Sequence, residues 1–131
     1  MSIYERLQKI IEKGLYDKVS LINNLPIYEE LKAITEDEKN ELVELMNKNP
    51  STENSIQDSF DNNIYLLLER QIDKQVYPFS QITEMVINLN ITKTIDDYQL
   101  LTLSNLIKEK YSTEFITEDN DNTEINNKGD N

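Results

Sequence analysis

The side chains that most enzymes use as nucleophiles, bases or metal ligands are scarce in this chain of 131 residues. It contains no Cys, His or Trp and only two Gly. These absences exclude a disulfide framework, a thiolate nucleophile, an imidazole base and a zinc site built from Cys and His. A glycine-rich loop for phosphate is also excluded. Any chemistry is left to carboxylates, hydroxyls and phenols.

The densest group of carboxylates comprises Glu36, Asp37, Glu38 and Glu41. Such a group can bind a metal ion, but it also suits the first turn of a helix, where negative charge faces the positive end of the helix dipole. Thr35, three residues before Glu38, completes the pattern of a capping box. We therefore interpret the group as the start of a helix and expect no metal site and no cofactor.

Acidic residues near the C-terminus have part of the spacing of a calcium-binding loop. Asp119, Asp121 and Thr123 take its first, third and fifth positions, and Asp130 takes the twelfth. The sixth position is Glu124, where such loops require Gly for a sharp turn, and no helical pattern follows. The spacing does not predict a calcium site.

Four tyrosines recur at matched positions: Tyr4, Tyr16, Tyr65 and Tyr77. They can be interpreted as a stacking or phenol-based site. Aromatic residues at helical spacing more commonly lie in a core with the hydroxyl at its rim, and we favour that interpretation. Since no nucleophile has a base beside it, we predict that the chain is not an enzyme and has no small-molecule substrate.

The recurrence of the tyrosines reflects an internal duplication. Residues 3–46 align without a gap on residues 64–107, at a constant offset of 61 residues, which points to two copies of one structural unit. The identical pairs are Ile3/Ile64, Tyr4/Tyr65, Leu7/Leu68, Ile11/Ile72, Lys13/Lys74, Tyr16/Tyr77, Lys32/Lys93, Ile34/Ile95, Leu42/Leu103 and Leu45/Leu106.

Each copy has the pattern of three short helices. The first helix has an apolar face, an N-terminal cap at Ser2 or Asn63, and in the first copy a C-terminal stop at Gly14. The second helix is the weakest prediction, because Pro26 lies within it in the first copy and residues 87–92 resemble a strand in the second. The third helix begins with the capping box described above or with its counterpart, Asp96-Asp97-Tyr98-Gln99.

These patterns predict an all-α protein of two tandem three-helix repeats with a disordered acidic C-terminal tail. Repeat one spans 1–48 and repeat two spans 64–111. The segment 49–63 has the composition of a polar linker, and 112–131 has too few apolar residues to offset the entropy of ordering.

The net charge of −12 lies mainly outside the two repeats. Repeats one and two carry −3 and −1, whereas the linker carries −3 and the tail −5. A DNA mimic needs acidic groups on an ordered surface, and a protein that binds nucleic acid directly needs a basic patch. The distribution argues against the first and excludes the second.

The sequence has no apolar segment long enough to insert into a membrane. The longest apolar run, Ile64–Leu68, is far shorter than the roughly 20 residues of a membrane-spanning helix. The N-terminus lacks the apolar core of a signal peptide. We expect the protein in a host cytoplasm or a virion, and not secreted by a signal peptide.

Two pairs of leucines in the second copy replace charged or polar residues of the first. Leu66 and Leu67 take the places of Glu5 and Arg6, and Leu100 and Leu101 take those of Lys39 and Asn40. Helices that are apolar on several sides must be covered. The cover is either the first copy itself or a partner, and we predict Leu66, Leu67, Leu100 and Leu101 as residues that bind a protein partner or a second subunit.

The first copy resembles a known group of proteins. The matching pattern is Tyr4-x-x-Leu7-x-x-x-Ile11-x-Lys13-Gly14-x-Tyr16, followed by Ile34-Thr35-x-x-Glu38-x-x-x-Leu42. It is similar to small helical proteins encoded among the tail and baseplate genes of Firmicute phages, the XkdX-like proteins. The resemblance implies a virion component or an assembly factor, with no catalytic residues.

The resulting hypothesis is a non-enzymatic helical protein-binding module of a phage or prophage, acting in tail or virion structure or assembly. Two alternatives stay open. One is an acidic inhibitor of a host nucleic-acid enzyme, of the anti-restriction or anti-CRISPR type, and the other is a small regulatory domain of a bacterial host.

Overall fold

Six α-helices and one short 3₁₀ helix make up the regular structure of the described residues, 2–51 and 62–115. The structure is a computed structural model. The helices are α1 (Ile3–Glu12), α2 (Lys18–Glu30), α3 (Glu36–Lys48), α4 (Asn62–Asp73), α5 (Phe79–Ile91) and α6 (Asp97–Lys110), and the 3₁₀ helix spans Ser112–Phe115. Neither described range contains a β-strand, so the predicted all-α class is confirmed.

The two copies contain the same helices at the same offset. The helices α2 and α5 begin and end at matched residues, α1 and α4 end at matched residues, and α3 and α6 begin at matched residues. Within the first copy α3 packs against α1 and α2, and within the second copy α6 packs against α4 and α5 in the same way. The duplication in sequence is therefore a duplication in structure.

Side-chain caps start most of the helices. Ser2, Thr35 and Asp96 each accept a hydrogen bond from the backbone N–H three residues later, and the side chain at that position bonds back to the cap. These are the three predicted capping boxes. The second copy differs at its first helix, because α4 already begins at Asn62 and the predicted cap Asn63 lies in its first turn.

Four residues with positive φ end the first two helices of each copy. Gly14 and Gln75 have φ of 73° and 51°, and Lys32 and Lys93 have φ of 67° and 65°. At each of these positions the following residue donates its N–H to a carbonyl five residues back, as in a Schellman motif. The duplicated backbone therefore keeps the left-handed residue even where Gly14 has become Gln75.

The second helix of each copy is continuous, including the segment that resembles a strand. Pro26 lies within α2 and is exposed, and α5 continues through Ile91. Ile87 and Thr83 are buried, whereas their counterparts in α2 are exposed. Because α5 is buried on more than one side, its apolar residues are not confined to one face of the helix. Its sequence therefore lacks the usual amphipathic pattern.

The folded chain extends beyond Tyr111, where we predicted the tail to begin. Ser112–Phe115 forms the 3₁₀ helix, and the Phe115 ring meets the Phe79 ring edge to face at a centroid distance of 5.3 Å. The Lys32 ammonium lies 5.6 Å from the centroid of the Phe115 ring. Residues 52–61 of the predicted linker and 116–131 of the predicted tail lie outside the described residues.

Replacing Gln75 by Gly should raise the stability of the protein. A non-glycine residue in the left-handed region costs about 1–2 kcal/mol, and loss of the Gln75 side-chain bond to the Lys110 carbonyl offsets part of the gain. We expect the free energy of unfolding, measured by urea titration, to rise by about 0.5 kcal/mol. The matched variant Gly14→Gln should lower it by more than about 1 kcal/mol, since Gly14 is buried. Equal effects of the two variants would contradict this account.

Truncation after Phe115 should leave thermal stability nearly unchanged, whereas truncation after Tyr111 should lower it. The longer truncation removes a half-buried ring that contacts Phe79 and Lys32, and we expect a loss of about 1–2 kcal/mol. Differential scanning calorimetry of the two truncated chains measures the difference. Identical melting temperatures would show that the 3₁₀ helix contributes no packing energy.

Candidate functional site

The largest group of interacting polar side chains in the described residues lies between the two copies. One side of α2 contributes residues spaced by four, and the end of α5 and the start of α6 contribute the rest. We call this group the polar seam, and it consists of Ser20, Asn24, Tyr28, Asn90, Lys93 and Asp97.

The carboxylate of Asp97 is the acceptor at the centre of the polar seam. It accepts hydrogen bonds from Ser20 Oγ at 2.6 Å, Asn24 Nδ2 at 2.9 Å and Asn90 Nδ2 at 3.2 Å. Lys93 Nζ lies 3.9 Å from its Oδ1 atom. Burial acts to raise the pKa of Asp97, but the three donors and the Lys93 charge together hold it below its ordinary value. The carboxylate is therefore ionised at neutral pH.

The side-chain amide of Asn90 connects Asp97 to a buried phenol. Asn90 Oδ1 accepts hydrogen bonds from Tyr28 OH at 2.5 Å and from Asn24 Nδ2 at 3.1 Å. Burial, with a smaller effect of the Asp97 charge, raises the pKa of Tyr28 far above its ordinary value. Tyr28 is consequently a neutral donor, and the buried polar atoms at this point of the contact are paired.

One pair in the polar seam has the residue types of an activated nucleophile. Ser20 Oγ lies 3.1 Å from Lys93 Nζ and donates to Asp97 Oδ2. The cavity beside it measures about 40 Å³, which admits water molecules but is well below the roughly 300–1,000 Å³ of small-molecule sites. The arrangement supports a structural role, in which the polar seam sets the register between the copies.

The polar seam explains one of the predicted partner-binding residues. In the first copy Lys39 forms an ion pair with Glu29 at 2.8 Å, and both side chains are partly exposed. Their counterparts Leu100 and Asn90 are 0% and 1% exposed, because α2 covers them. The prediction that Leu100 binds a partner is therefore wrong, since this leucine belongs to the contact between the copies.

The other three predicted leucines lie at the surface, but they do not form one patch. The exposed fractions are 50% for Leu66, 43% for Leu67 and 45% for Leu101. Leu66 shares a groove with Leu106, and Leu101 lies on the outer side of α6. Leu67 points about 100° away from Leu66 around the axis of α4, toward the opposite side of that helix.

The groove between α4 and α6 has an apolar floor and a charged rim. Leu66 and Leu106 line the floor, while Glu69, Arg70 and Asp73 line the rim of a shallow depression of about 400 Å³. An apolar side chain of a partner can enter such a depression while its polar neighbours meet the rim.

Tyr98 extends this surface and was missed by the sequence analysis. Its side chain is 75% exposed, and it lies near the Tyr65 phenol, which donates a hydrogen bond to Glu69 at 3.2 Å. The counterpart of Tyr98 in the first copy is Asp37. The four leucines were identified because they replace charged or polar residues of the first copy, and Tyr98 meets the same criterion.

The acidic group at the start of α3 has structural partners. Glu38 completes the capping box with Thr35, and Glu41 Oε1 accepts a hydrogen bond from Tyr4 OH at 2.5 Å. Within residues 2–51 and 62–115, no three acidic side chains converge as ligands for a metal ion. None of the helices in these ranges is both long and apolar enough to cross a membrane.

Comparisons with known proteins add no relative. No protein-family model matches the chain, and no curated protein or solved structure is similar to it.

Replacing Asp97 by Asn should weaken the contact between the copies. We expect the free energy of unfolding at pH 7 to fall by about 1–2 kcal/mol, because charged acceptors are lost from a group that is only partly buried. The folded pKa of Asp97 is lowered, so its contribution is complete above the unfolded pKa of about 4 and is lost as the pH falls through the folded pKa.

Urea titrations from pH 7 to pH 3 measure this dependence. The difference between the wild-type protein and Asp97→Asn should narrow below about pH 4. The matched control is Glu36→Gln at the exposed counterpart of Asp97 in the first copy, which should have little effect. A difference that does not change with pH would assign the effect of Asp97→Asn to packing and not to charge.

Proposed function

We propose that this chain is a non-enzymatic helical protein-binding module of a phage or prophage that acts in tail or virion structure or assembly. The observation that carries the binding role is the exposure of apolar residues in the second copy at positions where the first copy has charged or polar ones. The phage context comes from the resemblance of the first copy to XkdX-like proteins.

The binding surface is the outer side of α4 and α6, which we call the α4–α6 face. It consists of Leu66 and Leu106 in the groove, and of Tyr98 and Leu101, which are exposed on α6 outside the groove. The fold does not require three of these residues to be apolar, because the first copy forms the same helices with Glu5, Asp37 and Asn40 at the matched positions. Apolar residues exposed together typically mark an interaction site.

A partner that covers this surface gains free energy from the burial of apolar side chains. Each fully buried leucine contributes about 1.5–3 kcal/mol, and tyrosine is a frequent anchor at the centre of protein interfaces. The mixed charges of Glu69, Arg70 and Asp73 at the rim supply polar contacts around that centre. A partner with an apolar ridge flanked by both signs of charge fits this surface best.

The second candidate function is inhibition of a host nucleic-acid enzyme by the acidic segments. It is favoured by the charge of −12, of which −8 lies in residues 49–63 and 112–131. Several acidic residues of the helices are already paired, as in the ion pairs Lys39–Glu29, Lys108–Glu30 and Lys110–Asp73. An inhibitor would therefore act through its acidic segments and not through the helices.

The double variant Leu66→Glu and Leu101→Asn tests the α4–α6 face, since it restores the residues of the first copy at two exposed positions. We expect an unchanged circular dichroism spectrum and a melting temperature within a few degrees of the wild type, because surface substitutions change stability by about 0.5 kcal/mol. The matched control Leu100→Lys should unfold the protein or destabilise it by several kcal/mol, because that position is buried.

Mass spectrometry of purified particles measures the function itself. The wild-type chain should be present in virions or tail intermediates, and the double variant should be depleted from them. Absence of the wild-type chain from both would contradict the proposal.

Truncation after Phe115 separates the two candidate functions. It removes five acidic residues and one basic residue, a net charge of −4. The truncated chain should enter particles normally if the α4–α6 face binds the partner. An inhibitor would instead lose potency against a nucleic-acid enzyme, most strongly at low salt, where charges are least screened.

A further inference from the structure

The two copies do not face each other symmetrically. The first copy uses α2 and α1 to contact α6 and α5 of the second. If a two-fold axis related the two copies, α2 would contact α6 as closely as α5 contacts α3. The main contacts instead join α2 to α6 and α1 to α5. The contact between the copies is therefore heterologous, formed by two different faces of one structural unit.

Helix phase shows the same difference between α2 and α5. On α2, Ser20 and Asn24 contact the second copy, while Ile22 lies about 160° away from both and is exposed. On α5 the counterpart of Ile22 is Thr83, which is buried, and the counterpart of Ser20 is Gln81, which is exposed. The two equivalent helices thus use opposite sides.

We call the contacting side of the first copy the back face and the side of the second copy that receives it the front face. Within residues 2–51 and 62–115, the back face of the second copy and the front face of the first make no comparable contact, and we call them the unused back face and the unused front face. The unused back face comprises Leu67, Val76, Gln81, Met85 and Leu89, and the unused front face comprises Val19, Ile22, Pro26, Glu29, Glu36 and Lys39.

Both unused faces have exposed apolar side chains, and the front face also has the charged side chains of Glu29, Glu36 and Lys39. Leu67 and Val76 are exposed on the back face, and Met85 and Leu89 are partly exposed there. On the front face Val19 is 72% exposed, and Ile22 is also exposed. Each face thus exposes apolar side chains at a position where the same unit already makes a contact elsewhere in the chain.

The back face of the second copy also has unsatisfied polar groups at its margin. Gln71 and Asn88 are the counterparts of Ile10 and Ile27, which lie on the corresponding side of the first copy. Gln71 Oε1 and Asn88 Oδ1 are buried and have no hydrogen-bond partner in the structure. Both atoms are closed to solvent, so a molecule that docks on this face does not reach them.

We propose that the back face of the second copy binds the front face of the first copy in another molecule of this protein, so that molecules associate head to tail. The occupant is a second molecule because the chain already contains this contact between its own copies, in the same order. This proposal is based on the packing of the repeats and involves other residues than the α4–α6 face. Its test is therefore independent of the test of the proposed function.

The contact between molecules differs from the polar seam at its centre. Met85 and Leu89 take the places of Asn24 and Tyr28, whereas Glu29, Glu36 and Lys39 take the places of Asn90, Asp97 and Leu100. The network around Asp97 is therefore not repeated, and burial of apolar side chains provides most of the affinity. We expect an association that depends on protein concentration and, since a heterologous contact need not close, continues beyond the dimer.

Two variants test the proposal, each with one face blocked by a charge. Ile22→Lys blocks the front face and Met85→Lys blocks the back face, and Asn105→Lys on the outer side of α6 is the matched control. Sedimentation velocity of the full chain should show a mass that rises with concentration for the wild type and the control, and a monomer for each blocked variant. Circular dichroism verifies that all variants fold.

An equal mixture of the two blocked variants gives the decisive result. The Ile22→Lys molecule retains a back face and the Met85→Lys molecule retains a front face, so the mixture should form a heterodimer and nothing larger. A wild type that stays monomeric at every concentration would overturn the proposal. So would association of Ile22→Lys alone, which would show pairing of two back faces, or a mixture that forms no heterodimer.

Discussion

The carboxylate of Asp97 is the group on which the arrangement of the two copies depends. It lies where α2 of the first copy meets α5 and α6 of the second, and it accepts hydrogen bonds from both copies. An ionised group in a partly buried position is tolerated only when donors surround it. That requirement sets the position of Ser20 and Asn24 on α2, and with them the register in which one copy packs on the other.

This contact makes two equivalent units unequal. Leu100 is apolar because α2 covers it, whereas its counterpart Lys39 remains at the surface in an ion pair with Glu29. The same cause makes α5 apolar on more than one side. The copies therefore differ for two reasons. Leu100 and Asn90 are buried by the neighbouring copy, whereas Leu66 and Leu101 change the exposed surface. Only the second reason bears on partners.

In the proposed function, the exposed surfaces bind proteins and do not catalyse a reaction. Ser20, which has a lysine and a carboxylate beside it, lies next to a cavity that holds only water-sized molecules. The exposed apolar side chains lie on the α4–α6 face, on the unused back face of the second copy and on the unused front face of the first. The proposed contact between a back face and a front face would extend an assembly of this protein, and the α4–α6 face would still be able to bind a partner.

The sequence by itself determined the helices, the caps Ser2, Thr35 and Asp96, and the duplication, because hydrophobic spacing and capping depend on neighbours within a few residues. It located the surface change at Leu66 and Leu101 but assigned Leu100 to the same surface, did not predict the 3₁₀ helix Ser112–Phe115, and gave no sign of the polar seam. Only the tertiary structure decided which side of each helix is covered. Helical periodicity reports the direction of a side chain around its own axis, whereas its burial depends on a second helix that is distant in sequence.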